Sequence, residues 1–276
     1  MCKDIHSSVV SCAIQLMKPQ FIYYPQQQFP SRIAEEFEEE AYALAERGLS
    51  IGTSPQADSN PLILRSYILW DEQDYPHDPR YLHGWREYEA ASKMSIYLPF
   101  IRDLTFDTFF VEDLNDDCIC EIRRRGWDRA FIKNDVKSLW GRNDVSSVWP
   151  DCSMNRIKEV FLINYPKTRL FAIRKYVNPS VFLTEERYWV ILDTIYHRNE
   201  IIPSIVYETV KRLRPLGIKY YTIDAIPNQI VEINPGESSD RYGVNSPEVF
   251  ASWWKKALSR FEGSVPSSVS GVGSAI

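Results

Sequence analysis

Two short apolar segments near the C-terminus contain polar side chains at alternate positions. Residues 220–224 (YYTID) and 230–234 (IVEIN) are rich in β-branched and aromatic side chains, and the Pro-Asn pair between them is typical of a turn. The pattern predicts an antiparallel hairpin. Asp224 ends its first strand, and the two-residue period of a strand places Glu232 and Asn234 on one face of the second.

The pattern before residue 107 predicts short strands and two helices. Strands are expected at residues 20–24, 49–51 and 62–67, and helices at residues 32–47 and 85–93. The glutamates of the first helix, Glu40 among them, are spaced as on a solvated helix face, with a metal site as the alternative. Arg65 is interpreted as a surface arginine, with a substrate anion contact as the alternative. The order of strand, helix and strand is typical of a small α/β lobe.

Strands and helices also alternate after residue 107. Strands are expected at 108–111, 170–177 and 187–193, and helices at 114–125, 155–161, 203–213 and 247–261. Residues 97–99 (YLP) are interpreted as the start of a connection. These elements predict a mixed α/β (α+β) fold.

The strand that begins at residue 129 runs into a polar turn with two lysines. Lys133 and Lys137 bracket this turn and Ser138 follows, so two ammonium groups and a hydroxyl are available to a polyphosphate. The alternative is an exposed basic turn. Residues 141–147 are small and polar enough to form a flexible flap over phosphates, although the chain has no Walker-type phosphate loop.

Two arginines lie at the ends of consecutive strands. Arg174 is near the end of one strand and Arg187 begins the next, so antiparallel pairing of these strands would bring the two guanidinium groups together around a shared anion. The alternative is that side-chain alternation points them to opposite faces. The local pattern leaves both arrangements open.

The polar side chains of the hairpin predict a metal site. Asp224, Glu232 and Asn234 offer two carboxylates and an amide oxygen. Mg²⁺ binds such oxygen-only sets together with water and nucleotide phosphates. The alternative is a polar strand end beside solvent.

Composition limits the class of protein. The 276 residues are 44% hydrophobic and 25% charged, which is typical of a globular protein with a large core. The net charge of −5 argues against a nucleic-acid coat, and no apolar run is as long as a membrane helix or a signal-peptide core. We therefore expect a cytoplasmic protein that binds neither nucleic acid nor membrane, with its five cysteines reduced. Trp253 and Trp254 mark the expected contact surface if the chain forms a homodimer.

The order of these motifs resembles the ATP-grasp superfamily. The resemblance is carried by a lysine strand, a strand that ends in arginine, a Glu-x-Arg strand and a Glu-x-Asn strand, at residues 131–138 (FIKNDVKS), 170–174 (LFAIR), 185–190 (EERYWV) and 231–235 (VEINP). Within the superfamily they look like the clade that two arginines and a lysine set apart. Compared with typical members, the spacing from Asp224 to Glu232 is short and the flap is poor in glycine.

The resemblance implies an ATP-grasp fold and a ligase. It divides the chain into an N-terminal α/β lobe at 1–107 and an ATP-grasp domain with two subdomains at 108–262. The tail at 263–276 is rich in Ser, Gly, Val and Pro, and we expect it to be disordered because of this composition. It implies an ATP- and Mg²⁺-dependent enzyme that phosphorylates the carboxylate of a small molecule, amino acid or peptide and joins the acyl phosphate to an amine. The alternative is an ATP-binding assembly or chaperone-like factor with the same architecture.

The resemblance also implies roles for individual residues. The catalytic residues are Arg174 and Arg187. The ATP-binding residues are Lys133, Lys137 and Ser138 at the phosphates, Lys175, Tyr176 and Val177 at the adenine, and Glu185, or alternatively Glu186, at the ribose. The Mg²⁺ ligands are Asp224, Glu232 and Asn234. An α/β domain without a nucleotide site is expected only if these residues lie apart.

Overall fold

A computed structural model of the chain describes residues 18–25, 30–136, 147–178, 180, 184–199, 201–241 and 246–264. The predicted phosphate contacts Lys137 and Ser138, most of the predicted flap and the tail from residue 265 onwards lie outside these described residues. Within the described ranges, no helix has the length and apolar character that a membrane crossing requires.

A parallel three-stranded sheet and two helices form the N-terminal layer. Strand β1 (Gln20–Tyr23) lies between β2 (Ser50–Gly52) and β3 (Leu62–Arg65). Helix α1 (Glu35–Glu46) connects β1 to β2, as parallel pairing requires, and packs against the C-terminal helix α7 (Pro247–Ser264). The apolar faces of α1, β1 and α7 bury one another.

The second sheet contains the lysine strand. Its antiparallel strands are, in spatial order, β4 (Thr108–Val111), β7 (Phe171–Lys175), β5 (Ala130–Asn134) and β6 (Val148–Trp149). Its covering helices are α4 (Asp116–Arg124) and α5 (Met154–Asn164). Ile132 and Ile173 face these helices. Because side chains alternate, Lys133 and Arg174 lie on the opposite face.

The third sheet contains the hairpin. Its antiparallel strands are, in spatial order, β11 (Gln229–Pro235), β10 (Tyr220–Ile226), β8 (Glu186–Ile191) and β9 (Thr194–Tyr196). One face packs on α2 (Trp85–Ser92), α3 (Met94–Ile101) and α6 (Ser204–Leu213). Tyr188 and Ile223 lie on that face. By alternation, Arg187 and Asp224 lie on the other.

The predicted mixed α/β architecture is confirmed, and α3 is the main element that the sequence did not predict. It occupies the expected connection and contains Pro99. Met94, Tyr97, Leu98 and Ile101 follow each other at helical spacing and are at most 3% exposed. Burial of this apolar face outweighs the hydrogen bond that the proline cannot donate.

The suggested pairing of the two arginine strands is wrong. Strand β7 pairs with β4 and β5 in the second sheet, whereas β8 pairs with β10 and β9 in the third. Each strand finds its partners along its whole length in its own sheet. Arg174 and Arg187 therefore do not face each other across a strand pair.

The interpretations of Arg65 as a surface residue and of Glu40 as part of a solvated face are also wrong. Each residue is 1% exposed. Arg65 Nε and Nη2 donate to the Glu40 carboxylate at 2.7 and 2.8 Å, and Nη1 donates to the carbonyls of Gly236 and Ser239. Glu40 lies four residues before the buried Leu44, so the helical period turns it toward the core.

Segments from the N-terminal and C-terminal parts of the chain pack against each other. Helices α2 and α3 precede residue 107 but pack on the third sheet, and α7 packs on α1. Trp254 is fully buried against Phe21 and belongs to this core, while Trp253 stacks on Tyr196. The domain limits at residues 107 and 262 and the homodimer stay predictions.

Candidate functional site

A buried lysine joins the second and third sheets. Lys133 on β5 is 3% exposed, and its Nζ donates to Glu232 Oε2 on β11 at 2.9 Å. A buried ammonium group needs an anionic partner, because an uncompensated charge is strongly unfavourable in the interior. The lysine strand and the Glu-x-Asn strand are thus brought together at one ion pair.

Three charged side chains, those of Arg187, Asp224 and Glu232, form a row across the third sheet, here called the carboxylate row. Asp224 lies opposite Arg187 of β8 and opposite Glu232 of β11 in the strand register. The Arg187 guanidinium binds both oxygens of Asp224, at 2.7 and 2.6 Å. Burial raises the pKa of Asp224, while the facing Arg187 opposes that rise. The row therefore combines a buried carboxylate with the arginine that compensates its charge.

Asn234 connects the two carboxylates of the row. Its Nδ2 lies 3.0 Å from Glu232 Oε1 and 3.3 Å from Asp224 Oδ2. The positive end of the amide thus occupies the place between two carboxylates, where a cation is also favoured. A half-turn of the amide exchanges its nitrogen and oxygen, and then all three side chains offer oxygen.

This donor set fits Mg²⁺, which prefers oxygen ligands and retains several waters. Among the described residues, no group of three or more His, Cys, Asp or Glu side chains could hold a metal ion. A metal held in this row would therefore take its third protein ligand from the Asn234 amide.

Arg174 holds the backbone of β11 from the second sheet. It is 5% exposed, and its Nη1 and Nη2 donate to Val231 O and Thr105 Oγ1, both at 2.8 Å. Thr105 Oγ1 in turn donates to Ile230 O at 2.6 Å. Arg174 thus fixes the backbone beside Glu232.

Glu185 lies on the face of the third sheet that carries the carboxylate row, whereas Glu186 lies on the opposite face. Burial, together with the negative charges of Asp224 and Glu232, raises the pKa of Glu185 to about 7. Glu186 instead contacts His197 Nε2 at 3.0 Å and is bound by Arg198. This arrangement agrees with the choice of Glu185, whose contact with a ribose stays a prediction.

The three predicted adenine contacts follow at the end of β7. Lys175 is exposed, and its backbone N–H donates to Asp107 O at 2.9 Å. The Tyr176 ring lies 4.2 Å from the Arg129 guanidinium. In the described part of the chain, the side chains of Lys175, Tyr176 and Val177 make no hydrogen bond or ion pair with the carboxylate row. The adenine contact, which the resemblance implies for the backbone of this segment, stays a prediction.

A cavity of about 920 Å³ adjoins the row. Asp240 lines this cavity and also accepts a hydrogen bond from Arg187 Nη1 at 2.6 Å. Asp240 was not predicted from the sequence, because an aspartate in a Ser- and Gly-containing loop has no periodicity that assigns it a direction. The aromatic lining of the cavity, which includes Trp70 and Tyr165 from distant segments, was not predicted either.

No protein-family model and no curated protein sequence matches the chain, but solved structures do. The D-cycloserine synthetase DcsG has 11% sequence identity and a TM-score of 0.59, over 87% of this chain and 99% of that chain. The D-alanine–D-alanine ligase from Bacillus anthracis, complexed with ATP, has 11% identity and a TM-score of 0.54, over 90% and 99%. The ATP-grasp ligase PsnB, complexed with minimal precursor, Mg and ADP, has 11% identity and a TM-score of 0.54, over 88% and 99%. This chain has the ATP-grasp fold.

The ATP-grasp fold that the order of motifs implied is thereby confirmed, whereas the narrower clade stays a prediction. Identities of 11% show a common fold alone, so the chemistry has to be argued from this chain's own residues. The ATP-grasp fold brings several of the residues predicted from the sequence together at the junction of the second and third sheets. They are Lys133, Arg174, Glu185, Arg187, Asp224, Glu232 and Asn234.

Proposed function

We propose that this ATP-grasp protein is an ATP- and Mg²⁺-dependent carboxylate–amine ligase that forms an amide or peptide-type bond through an acyl phosphate. The observation that supports it is the convergence of Lys133 from one sheet with Asp224, Glu232 and Arg187 from the other. The three solved structures of similar fold are two ligases and a synthetase, and they support the same class of reaction.

The carboxylate row is the proposed metal site. Asp224, Glu232 and Asn234 would hold Mg²⁺, which supplies neutralisation of the phosphate charge when bound. Lys133 is buried and pairs with Glu232, so its ammonium group is already desolvated and oriented toward the row. A phosphate oxygen would replace the carboxylate as the anionic partner of Lys133.

The remaining nucleotide contacts are proposed from the resemblance and from position. Lys137 and Ser138, outside the described residues, would extend the phosphate contact of Lys133. The backbone of residues 175–177 would bind adenine, and Glu185 the ribose hydroxyls. Glu185 accepts these hydrogen bonds best as a carboxylate, so its pKa of about 7 predicts tighter nucleotide binding above that pH.

Two steps make up the proposed reaction. The substrate carboxylate first attacks the γ-phosphorus of ATP, which yields an acyl phosphate and ADP. The amine then attacks the acyl carbon, and phosphate leaves with one oxygen of the former carboxylate. Arg187 stabilises the charge on the transferred phosphoryl group, since positioned cations lower the barrier of such transfers. Arg174 holds the backbone of β11 in place beside Glu232.

The substrates that suit this site are the carboxylates and amines of small molecules, amino acids or peptides. We also propose that the protein acts in the cytoplasm. Cys118, Cys120 and Cys152 are free thiols, as expected in a reducing compartment.

Trapping the acyl phosphate tests the proposal. The protein is incubated with ATP, Mg²⁺ and pools of amino acids and short peptides, with hydroxylamine as a general amine that converts an acyl phosphate into a hydroxamate. We expect hydroxamate and ADP in equal amounts, and loss of both in Lys133→Met and Glu232→Gln. The control Glu208→Gln removes an exposed ion-paired carboxylate on α6 and should retain the activity.

ATP binding without carboxylate-dependent ADP release in any pool would contradict the ligase. That result would favour an ATP-binding assembly factor with the same fold.

A further inference from the structure

The cavity beside the carboxylate row has an aromatic wall. Its volume of about 920 Å³ is at the upper end of the range for small-molecule pockets, roughly 300–1,000 Å³. The ring centroids of Phe37 and Tyr67 are 5.6 Å apart, and those of Trp70 and Tyr165 are 5.4 Å apart. Such rings bury an apolar body, and their faces attract cations.

The charged groups of the cavity wall are not evenly compensated. Each lining cation pairs with a carboxylate: Arg65 with Glu40, Arg241 with Glu39 and Lys167 with Asp71. Glu36 differs, because its carboxylate accepts a hydrogen bond from the neutral Tyr67 hydroxyl at 2.6 Å and pairs with no cation in the ranges that the structure describes. This hydrogen bond lowers the pKa of Glu36, so the carboxylate is charged at neutral pH.

The cavity is also connected to the chemistry. Asp240 lines it and pairs with Arg187, which in turn holds Asp224. Ser238 and Ser239, in the loop that follows β11, form part of the same wall. The cavity wall therefore contacts Arg187, the residue that would stabilise an acyl phosphate, through Asp240.

We propose that this cavity binds a substrate that carries an ammonium group on an aromatic or aliphatic body. Glu36 receives the ammonium group, and the rings of Trp70 and Tyr165 cover the body. The ammonium group at Glu36 serves recognition, while the reacting group of the substrate extends toward Arg187. The occupant's status as a substrate rests on the proposed function, whereas its binding to the cavity is measurable without nucleotide.

Three probes with one body and three charges test the proposal. They are L-phenylalanine amide (cationic), N-acetyl-L-phenylalanine amide (neutral) and N-acetyl-L-phenylalanine (anionic). Their dissociation constants are measured by ligand-observed NMR at pH 6, where the amine of the cationic probe is protonated, without nucleotide, for the wild type, Glu36→Gln and Trp70→Leu. The matched control is Glu38→Gln, which removes an exposed carboxylate of the same helix outside the cavity.

We expect the cationic probe to bind most tightly to the wild type and the anionic probe least tightly. Glu36→Gln should weaken the cationic probe by about fivefold and leave the neutral probe nearly unchanged, since a partly exposed charge pair contributes at most about that factor. Trp70→Leu should weaken all three probes to a similar degree, because it removes contact with their common body. Glu38→Gln should behave like the wild type.

Three results would overturn the proposal. They are tightest binding of the anionic probe to the wild type, an unchanged affinity of the cationic probe in Glu36→Gln, and no binding of any probe at millimolar concentration. The thermal shift with ATP and Mg²⁺, measured on the same preparations, separates it from the proposed function. A normal shift with no charge preference rejects the ammonium site alone. An absent shift rejects the nucleotide site, whatever the probes show.

Discussion

At the scale of single residues, Glu185 is the group of the site whose charge depends most clearly on its neighbours. It is half-buried, directly precedes β8 and lies near two other carboxylates. Burial and the charges of Asp224 and Glu232 raise its pKa to about 7, although Arg187 and Arg174 oppose the rise. A carboxyl group of this kind changes charge close to neutral pH.

This shift predicts a pH-dependent effect of Glu185→Gln on stability. The folded-state pKa exceeds the unfolded-state value, so the stability that the protonated group contributes is present at low pH and is lost as the pH rises through about 7. The amide cannot lose a proton, so the stability of the variant relative to the wild type should be higher at pH 8 than at pH 5. Urea unfolding at both pH values measures this difference. Parallel pH profiles for the two proteins would contradict it, and Glu38→Gln controls for the loss of an exposed charge.

The polar residues of the site show what one sequence can predict at this scale. The two-residue period of a strand predicted that Glu232 and Asn234 lie on one face, and their side chains are in contact in the structure. The ion pair of Glu232 with Lys133 was not predicted, because the distance between the two residues depends on how two separate sheets approach each other. The fit of Arg187 to Asp224 depends on a strand register that short β-rich segments do not reveal.

At the scale of elements, the β10–β11 hairpin and the loop after it set the shape of the site. Gly236 ends this hairpin directly against a ring: a Cβ at this position would lie 2.5 Å from Tyr220. Tyr220 is 1% exposed and packs on Trp189 and Trp254, so the ring cannot move aside.

Gly236→Ala should therefore destabilise the fold by about 2 kcal/mol, in the range of overpacked core substitutions. The free energy of unfolding in guanidinium chloride is the measurement. Gly84→Ala is the matched control, because its nearest neighbour within 4 Å is the flexible end of Glu87 at 3.2 Å. Equal stability of the two variants would mean that the ring does not confine Gly236.

Element prediction succeeded where periodicity and turn residues agreed, as in the hairpin and α1. It failed at α3, where Pro99 argued against a helix and only the contact with the third sheet explains why one forms. It also failed for Glu40. A run of glutamates looks solvated, and the buried arginine that pairs with Glu40 comes from a strand 25 residues further along the chain.

At the scale of the whole molecule, Arg65 links the N-terminal layer to the loop that follows β11. It donates to carbonyls of that loop, and Ser66 N donates to Glu237 O at 2.8 Å. His83 Nδ1 contacts the Glu237 carboxylate at 2.5 Å. The same loop contains Asp240, the partner of Arg187. Groups from the N-terminal layer thus fix a loop of the candidate site, which no local pattern in the sequence could indicate.

Arg65→Met should destabilise the protein by about 3–5 kcal/mol, because it leaves the Glu40 carboxylate buried without its arginine. The double variant Arg65→Met/Glu40→Met should recover part of this loss, since no uncompensated charge remains. Denaturant unfolding of both variants and of the wild type tests the pair. A double variant less stable than Arg65→Met would show that the carboxylate is compensated by other groups.

The central claim is that a nucleotide and Mg²⁺ bind where Lys133 meets the carboxylate row, and thermal unfolding tests it most directly. Ligand at about 100 times its dissociation constant stabilises the folded state by about 2.7 kcal/mol, which corresponds to a rise in Tm of about 5 °C for a chain of this size. We predict this rise for the wild type and for Glu208→Gln with ATP plus Mg²⁺, a smaller rise with ATP alone, and little rise for Glu232→Gln. No rise in the wild type at millimolar ATP and Mg²⁺, or an equal rise in Glu232→Gln, would contradict the account.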